Sequence, residues 1–105
     1  MTKTDQMIVQ EFARRVRERF PSAEVYAFGS RVSETATAES DLDVCVVVSD
    51  LNDAVDREIM SFAWEVGFEH DVVISTVTFS SDEFTRGPLT ESPLVRAIRR
   101  DGVAA

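Results

Sequence analysis

Apolar residues at the start of the chain follow first a helical and then a strand-like pattern. Across residues 4–20 they recur at steps of three and four, with charged residues between them, which predicts an amphipathic helix. Pro21 is expected to end this helix. The next apolar stretch, Glu24–Phe28, predicts the first strand.

The strongest apolar run follows and is continuous over residues 44–48. Such a run is typical of a strand covered on both faces, so residues 41–48 are predicted to form a central second strand. Apolar residues return to helical spacing over residues 55–66, and Gly67 is the expected end of this second helix. Trp64, near the edge of that helix, is expected to pack against the protein.

The rest of the chain predicts one more strand and one more helix. Residues 71–79 are rich in β-branched and aromatic side chains, so they predict a third strand that opens with Asp71. Ser92 and Pro93 supply an N-cap and a first-turn proline for a last helix that closes at Gly102. The order strand, helix, strand implies a βαβ unit, with either adjacent strands or a mixed connection.

Length and composition limit the class of protein. A chain of 105 residues with 44% hydrophobic residues has the size of one small domain, so residues 1–105 are predicted to form a single domain. No apolar run approaches the roughly 20 residues that span a membrane, and the N-terminus shows no signal pattern. The single cysteine, Cys45, is expected to be a core residue. These features favour a cytoplasmic protein.

Charge limits the partners. The formal net charge is −8, from 19 acidic and 11 basic residues. Proteins bind duplex nucleic acid mainly through basic surface, so stable duplex binding is not expected. This charge argument does not apply to a single nucleotide that binds together with Mg²⁺.

Two short motifs lie beside the first two predicted strands. Gly29 and Ser30 follow the first strand, and Asp41-Leu42-Asp43 opens the second. Side chains two apart on a strand share a face, so the two carboxylates lie side by side and repel each other unless a cation neutralises them. Mg²⁺ prefers such oxygen ligands and fills its other positions with water and phosphate. Glycine lets backbone N–H groups approach a phosphate, and serine adds a hydroxyl.

Each motif alone is weak evidence. Asp-x-Asp is a common sequence that usually forms a turn or a cap on the surface, and Gly-Ser is weaker still. Together, at this spacing and with an apolar strand beside each, they point to a nucleotide-phosphate and metal site.

The sequence GSRVSETATAESDLDV, residues 29–44, resembles the signature of the minimal nucleotidyltransferases of the DNA polymerase beta-like superfamily. The pattern of that family is Gly-Ser, a spacer and then Asp-x-Asp. The resemblance extends over nearly the whole chain, including the run Asp71-Val72-Val73-Ile74. It implies an α/β (α+β) fold, a small mixed β-sheet with helices packed on it, as in the polymerase beta-like palm.

The resemblance also implies the chemistry, which is transfer of AMP from ATP to a hydroxyl group. Asp41 and Asp43 would bridge two Mg²⁺ ions, and Asp71 would complete the ion on the acceptor side. The catalytic and metal-binding residues would thus be Asp41, Asp43 and Asp71. The nucleotide-binding residues would be Gly29, Ser30 and Arg31.

The spacer over residues 31–40 departs from the family. Members commonly carry a glycine near Ser33 or Glu34 and a proline near Ala38, and this chain has neither. We therefore expect an altered spacer geometry and weaker nucleotide binding.

Many small members of the family are antitoxins that act beside a helical HEPN toxin. The resemblance therefore implies ATP and a HEPN-type protein as partners, with the acceptor hydroxyl on the partner protein, and it leaves an oligomer open. The alternative is a catalytically inactive module that keeps the fold and masks its partner by contact alone. Small-molecule adenylylation is a third hypothesis.

Overall fold

A computed structural model describes residues 1–33 and 40–105. Within these two ranges, none of the helices combines the length and the apolar character that crossing a membrane requires. In chain order the elements are α1 (Lys3–Arg19), β1 (Glu24–Phe28), β2 (Leu42–Val48), α2 (Asp53–His70), β3 (Ile74–Ser80), α3 (Ser81–Thr85), a 3₁₀ helix (Pro88–Glu91), α4 (Pro93–Asp101) and β4 (Val103–Ala104).

The strands form one mixed sheet in the order β3-β2-β1-β4. β1 and β2 are antiparallel, with Phe28 opposite Asp43 and Glu24 opposite Val47. β2 and β3 are parallel and are joined through α2 as a βαβ unit. β4 adds two residues, antiparallel, to the other edge of β1. The predicted α/β fold with a small mixed sheet is confirmed, as is the central place of the second strand.

β2 separates two hydrophobic layers because its side chains alternate between the faces of the sheet. Its even-numbered residues are buried in the larger layer, with α1 and α2. Cys45 and Val47 are buried in the smaller layer, with residues of α3 and α4. Full burial of one such side chain contributes about 1.5–3 kcal/mol relative to exposure. Asp43 shares the face of Cys45, so it lies where the smaller layer ends.

α1 begins and packs as the sequence predicts. The Thr2 hydroxyl accepts a hydrogen bond from the Asp5 N–H at 3.0 Å, and the Asp5 carboxylate accepts one from the Thr2 N–H at 3.4 Å. Phe12 and Val16 are fully buried on the inner face of the helix. Asp5 is also buried, which carboxylates seldom are unless they are paired.

α2 runs further than predicted. The expectation that Gly67 ends it is wrong, because the helix continues to His70. A Cβ on Gly67 would lie 2.5 Å from the carbonyl oxygen of Val72, so this glycine allows close packing and does not terminate the helix. Asp71 ends the helix in the left-handed conformation, with φ of 54°. The prediction that Asp71 opens the third strand is also wrong, since that strand begins at Ile74.

Two further predictions about the helices have opposite outcomes. The Ser92 hydroxyl accepts the Val95 N–H at 3.1 Å, and Pro93 is the first residue of α4, as predicted. The expectation that Trp64 packs against the protein is wrong for the core, since its side chain is 69% exposed and its ring contact is with Phe68, also exposed on α2.

Cys45 is expected to be chemically inert in the folded protein. Its side chain is fully buried, and this burial, with a smaller effect from the charge of Glu24, raises the pKa of the thiol to about 12. Because the thiolate is the reactive form, a reagent such as DTNB should label the protein only after denaturant is added. Rapid labelling of the folded protein would contradict this placement.

Candidate functional site

Asp41 and Asp43 lie at the start of β2 on one face of the sheet. Asp43 is half-buried and is in register with Phe28 of β1 and Ser75 of β3. Asp41 comes directly before the strand and is exposed. The structure therefore brings these two carboxylates together at the edge of the smaller hydrophobic layer.

Within the described ranges, no basic side chain pairs with either of the two carboxylates. Burial raises the pKa of the Asp43 carboxyl, and the negative charge of Asp41 raises it further. A cation bound between them would relieve the repulsion.

Gly29 brings the turn after β1 against the Asp43 carboxylate. Its φ is +81°, and a Cβ at this position would lie 2.3 Å from Oδ2 of Asp43. Glycine is therefore required here both by the left-handed backbone and by the contact. The N–H groups of Val32 and Ser33 donate to the Gly29 carbonyl oxygen at 3.2 and 3.1 Å. This turn contains Ser30, so the two motifs found in the sequence meet at Asp43.

Arg31 ties both ends of the spacer to α1. Its Nη1 donates to Oδ1 of the buried Asp5 at 2.8 Å, and its Nε and Nη2 donate to the Ser40 carbonyl oxygen at 2.9 and 2.6 Å. Because Ser40 precedes Asp41, this guanidinium fixes the carboxylate relative to the turn. The phosphate contact predicted for Arg31 stays a prediction, since the structure directs its guanidinium at Asp5 and Ser40. Residues 34–39, most of the spacer whose altered geometry the sequence predicts, lie outside the described residues.

Replacing Arg31 by methionine should destabilise the fold and loosen the site. Methionine retains most of the apolar length but leaves the buried Asp5 without its ion-pair partner, so we expect the free energy of unfolding to fall by about 1–3 kcal/mol. The control is Arg14→Met, which removes only exposed ion pairs within α1 and should cost less than about 1 kcal/mol. Urea unfolding of both variants measures the difference, and equal losses would argue against a structural role for Arg31.

Asp71, the third predicted carboxylate, lies between α2 and β3. It is the C-cap of α2 and is exposed. Two residues later, the carbonyl oxygen of Val73 accepts a hydrogen bond from the Leu42 N–H at 2.9 Å. In the described part of the chain, no three His, Cys, Asp or Glu side chains are grouped so that they could hold a metal ion. The predicted metal role of Asp71 therefore stays a prediction. The residue of β3 in register with Asp43 is Ser75, which the motifs do not include.

The family described as nucleotidyltransferase domain matches residues 9–102, which include both motifs and β1 to β3. The chain belongs to this family. The predicted relationship to the nucleotidyltransferases is thereby confirmed. Among curated proteins, none matches the sequence.

Solved structures share the fold of this nucleotidyltransferase domain. A toxin–antitoxin complex with AMP-PNP has a TM-score of 0.60 and 19% identity, over 89% of this chain and 68% of that chain. The complex of a tri-AMPylated HEPN toxin from Shewanella oneidensis with its MNT antitoxin has a TM-score of 0.57 and 18% identity, over 95% and 70%. An MntA–HepT toxin–antitoxin complex has a TM-score of 0.60 and 18% identity, over 94% and 69%. At these identities the likeness shows the fold, which is that of the predicted minimal nucleotidyltransferases.

Proposed function

We propose that this nucleotidyltransferase domain transfers AMP from ATP to a hydroxyl group of a partner protein. The observation that carries the proposal is the close approach of Gly29 to the Asp43 carboxylate, because it joins the phosphate-binding motif to the metal-binding motif at one point. Membership of the nucleotidyltransferase domain family supports the type of reaction.

The residues present suit a divalent cation. Asp41 and Asp43 offer carboxylate oxygens, the ligands that Mg²⁺ prefers. Burial raises the pKa of the Asp43 carboxyl and the negative charge of Asp41 raises it further, and a bound cation would offset both effects. When bound, Mg²⁺ would offset the charge that develops on the phosphate oxygens during transfer. Asp41 and Asp43 would hold two such ions, and Asp71 would serve as a ligand on the acceptor side.

The protein's own residues would position the reactants. The backbone of Gly29 and the hydroxyl of Ser30 would hold the terminal phosphates, and Arg31, through Ser40, would keep Asp41 in place. The acceptor oxygen then forms a bond to the α-phosphorus while the bond from that phosphorus to the bridging oxygen breaks. Pyrophosphate leaves, and the hydroxyl proton is released. Positioning of this kind supplies a large part of catalysis in phosphoryl transfer.

The proposed acceptor is a HEPN-type protein, and the proposed role is that of a cytoplasmic antitoxin. Two of the solved structures with this fold support the choice. One contains AMP-PNP in a toxin–antitoxin complex, and another contains a tri-AMPylated HEPN toxin bound to an MNT antitoxin.

A second function, masking of the partner without transfer, is favoured by a different observation. No third carboxylate joins Asp41 and Asp43 among the residues that the structure describes, and Ser75 faces Asp43 from β3. A domain with two carboxylates could bind its partner and hold a nucleotide without turning it over.

Two measurements separate these functions. Calorimetric titration of ATP, with and without Mg²⁺, tests nucleotide binding, and incubation with ATP labelled at the α-phosphate and a HEPN protein tests transfer. Label on the HEPN protein supports the transferase. Binding and inhibition of the HEPN protein without label supports the masking module. A domain that binds neither Mg²⁺-ATP nor the HEPN protein would refute both functions.

A further inference from the structure

The outer face of α2 carries a row of exposed apolar side chains. Met60, Trp64 and Phe68 are 53%, 69% and 75% exposed, and their spacing of four residues places them on one stripe of the helix. The rings of Trp64 and Phe68 stack, with centroids 5.3 Å apart and planes 9° apart. The opposite face of α2, including Ile59 and Val66, is fully buried. A row of large apolar side chains left in solvent is typical of a binding surface.

This row forms one wall of a groove of about 910 Å³, the α2–β3 groove. Residues 72–76 form the opposite wall, and Asp41 and Asp71 also line the groove. The apolar surface of α2 is therefore continuous with the candidate site at the start of β2.

β3 presents a backbone edge to the α2–β3 groove. In the described sheet β3 is a terminal strand that pairs only with β2, and Val73, just before it, is 62% exposed. Further along, the Thr78 hydroxyl donates to the Asp56 carboxylate of α2 at 2.7 Å, which joins the two walls there. The open edge is therefore the first part of β3. Open edges of this kind accept an added strand from another polypeptide.

Charge determines which kind of polypeptide can occupy the groove. Its ionisable lining residues are Asp41 and Asp71, and within residues 1–33 and 40–105 no Lys or Arg lines it. A second copy of this chain, whose net charge is −8, would bring like charges together. A basic segment would instead meet opposite charge, which favours both encounter and orientation.

We propose that the α2–β3 groove is the docking site of the acceptor protein, and that it takes an extended, basic segment with apolar side chains at alternate positions. The segment adds to the edge of β3 through main-chain hydrogen bonds, places its apolar side chains on Trp64 and Phe68, and carries its Lys or Arg residues near the acidic end of the groove. A hydroxyl residue at the end of the segment near Asp41 then reaches the transfer site. The role in transfer rests on the proposed function, but docking can be measured without ATP.

Trp64 is the only tryptophan of the chain, so its fluorescence reports directly on the groove. The probe is a short capped peptide in which valine alternates with lysine around one central serine. We expect this peptide to shift the emission of Trp64 to the blue and to saturate. The same peptide with glutamate in place of lysine should bind at least about tenfold more weakly, and replacing one inward valine by proline should weaken binding because a strand N–H is lost.

Variants show whether the peptide binds where proposed. Phe68→Ala should weaken binding about tenfold, which corresponds to the loss of one aromatic contact. Met7→Ala is the matched control, because Met7 is 66% exposed but lies on α1, outside the groove. Both side chains are exposed, so both variants should keep the melting temperature of the wild type.

The outcomes of these experiments are distinct. Saturable, lysine-dependent binding that Phe68→Ala weakens and Met7→Ala does not supports the docking site. No peptide-induced shift, or equal effects of the two variants, refutes it. A shift that depends on protein concentration alone would place a second copy in the groove and would also refute it. ATP titration of Phe68→Ala should match the wild type, so a failure of docking is separable from a failure of nucleotide binding.

Discussion

The double variant Asp41→Asn/Asp43→Asn should lose Mg²⁺-dependent ATP binding and AMP transfer, and it should remain folded. Asparagine has nearly the shape of aspartate but no charge, so the packing of β2 is retained while the cation ligands are lost. Because a bound cation supplies several kcal/mol of charge stabilisation, we expect transfer to fall by at least about 100-fold. Calorimetry and transfer of α-labelled phosphate measure the loss, and unfolding experiments verify the fold.

The same substitutions should stabilise the metal-free protein at neutral pH. The folded-state pKa of Asp43 is raised, so the folded protein binds protons more readily than the unfolded chain. The free energy of unfolding therefore falls as the pH rises from the ordinary aspartate range through this raised pKa, and it stays lower above it. Removing the charge should raise the melting temperature at pH 7 and leave it unchanged at a pH well below the ordinary aspartate pKa.

The matched control is Asp50→Asn, an exposed carboxylate just beyond the other end of β2. It should not change ATP binding. Persistence of Mg²⁺-dependent transfer in the double variant would show that Asp41 and Asp43 are not the cation ligands. A stability gain of equal size in Asp50→Asn would mean that overall negative charge, not the pair, is the cause.

Gly29→Ala should abolish Mg²⁺-ATP binding at a modest cost in stability. The new methyl group would lie 2.3 Å from Oδ2 of Asp43, so the carboxylate must rotate away from the turn. The left-handed backbone adds about 1–2 kcal/mol of strain for an alanine. Asp43 would keep its place in β2, but its carboxylate would no longer point toward the turn that contains Gly29 and Ser30.

Gly87→Ala separates these two effects. Gly87 has nearly the same φ, +79°, but a Cβ there would meet no atom within 4 Å. Both variants should therefore lose a similar amount of stability in urea unfolding, and only Gly29→Ala should lose ATP binding in calorimetry. If Gly29→Ala binds Mg²⁺-ATP like the wild type, the contact between the turn and Asp43 has no functional role.

The parts of the fold that local patterns encode were predictable from the sequence. The continuous apolar run of β2 identifies a strand with neighbours on both sides, and Ser92 with Pro93 identifies the start of α4. Glycine is less informative, because the same residue can end a helix or allow close packing within one. Gly67 does the latter, so the sequence pattern misplaced the end of α2 and the start of β3.

The surroundings of the candidate site were less predictable, because they depend on residues distant in sequence. Asp5 and Arg31 are 26 positions apart, and no local pattern links a helix cap to a loop arginine. Ser75 is in register with Asp43 only because β2 and β3 are parallel and pair with Leu42 opposite Ile74. Trp64 lies at the edge of the helical pattern, where spacing does not decide between core and surface, so only the structure shows that its side chain is exposed and stacks on Phe68.

The alternation of side chains along β2 also bears on how such domains can change during evolution. The residues of β2 that build the hydrophobic layers and the two aspartates at its start are separate sets, and the charges of the aspartates oppose folding slightly in the metal-free protein. Replacing the aspartates would therefore meet no resistance from protein stability. A lineage could lose the reaction and keep a folded protein with its α2–β3 groove, ready for selection on binding alone.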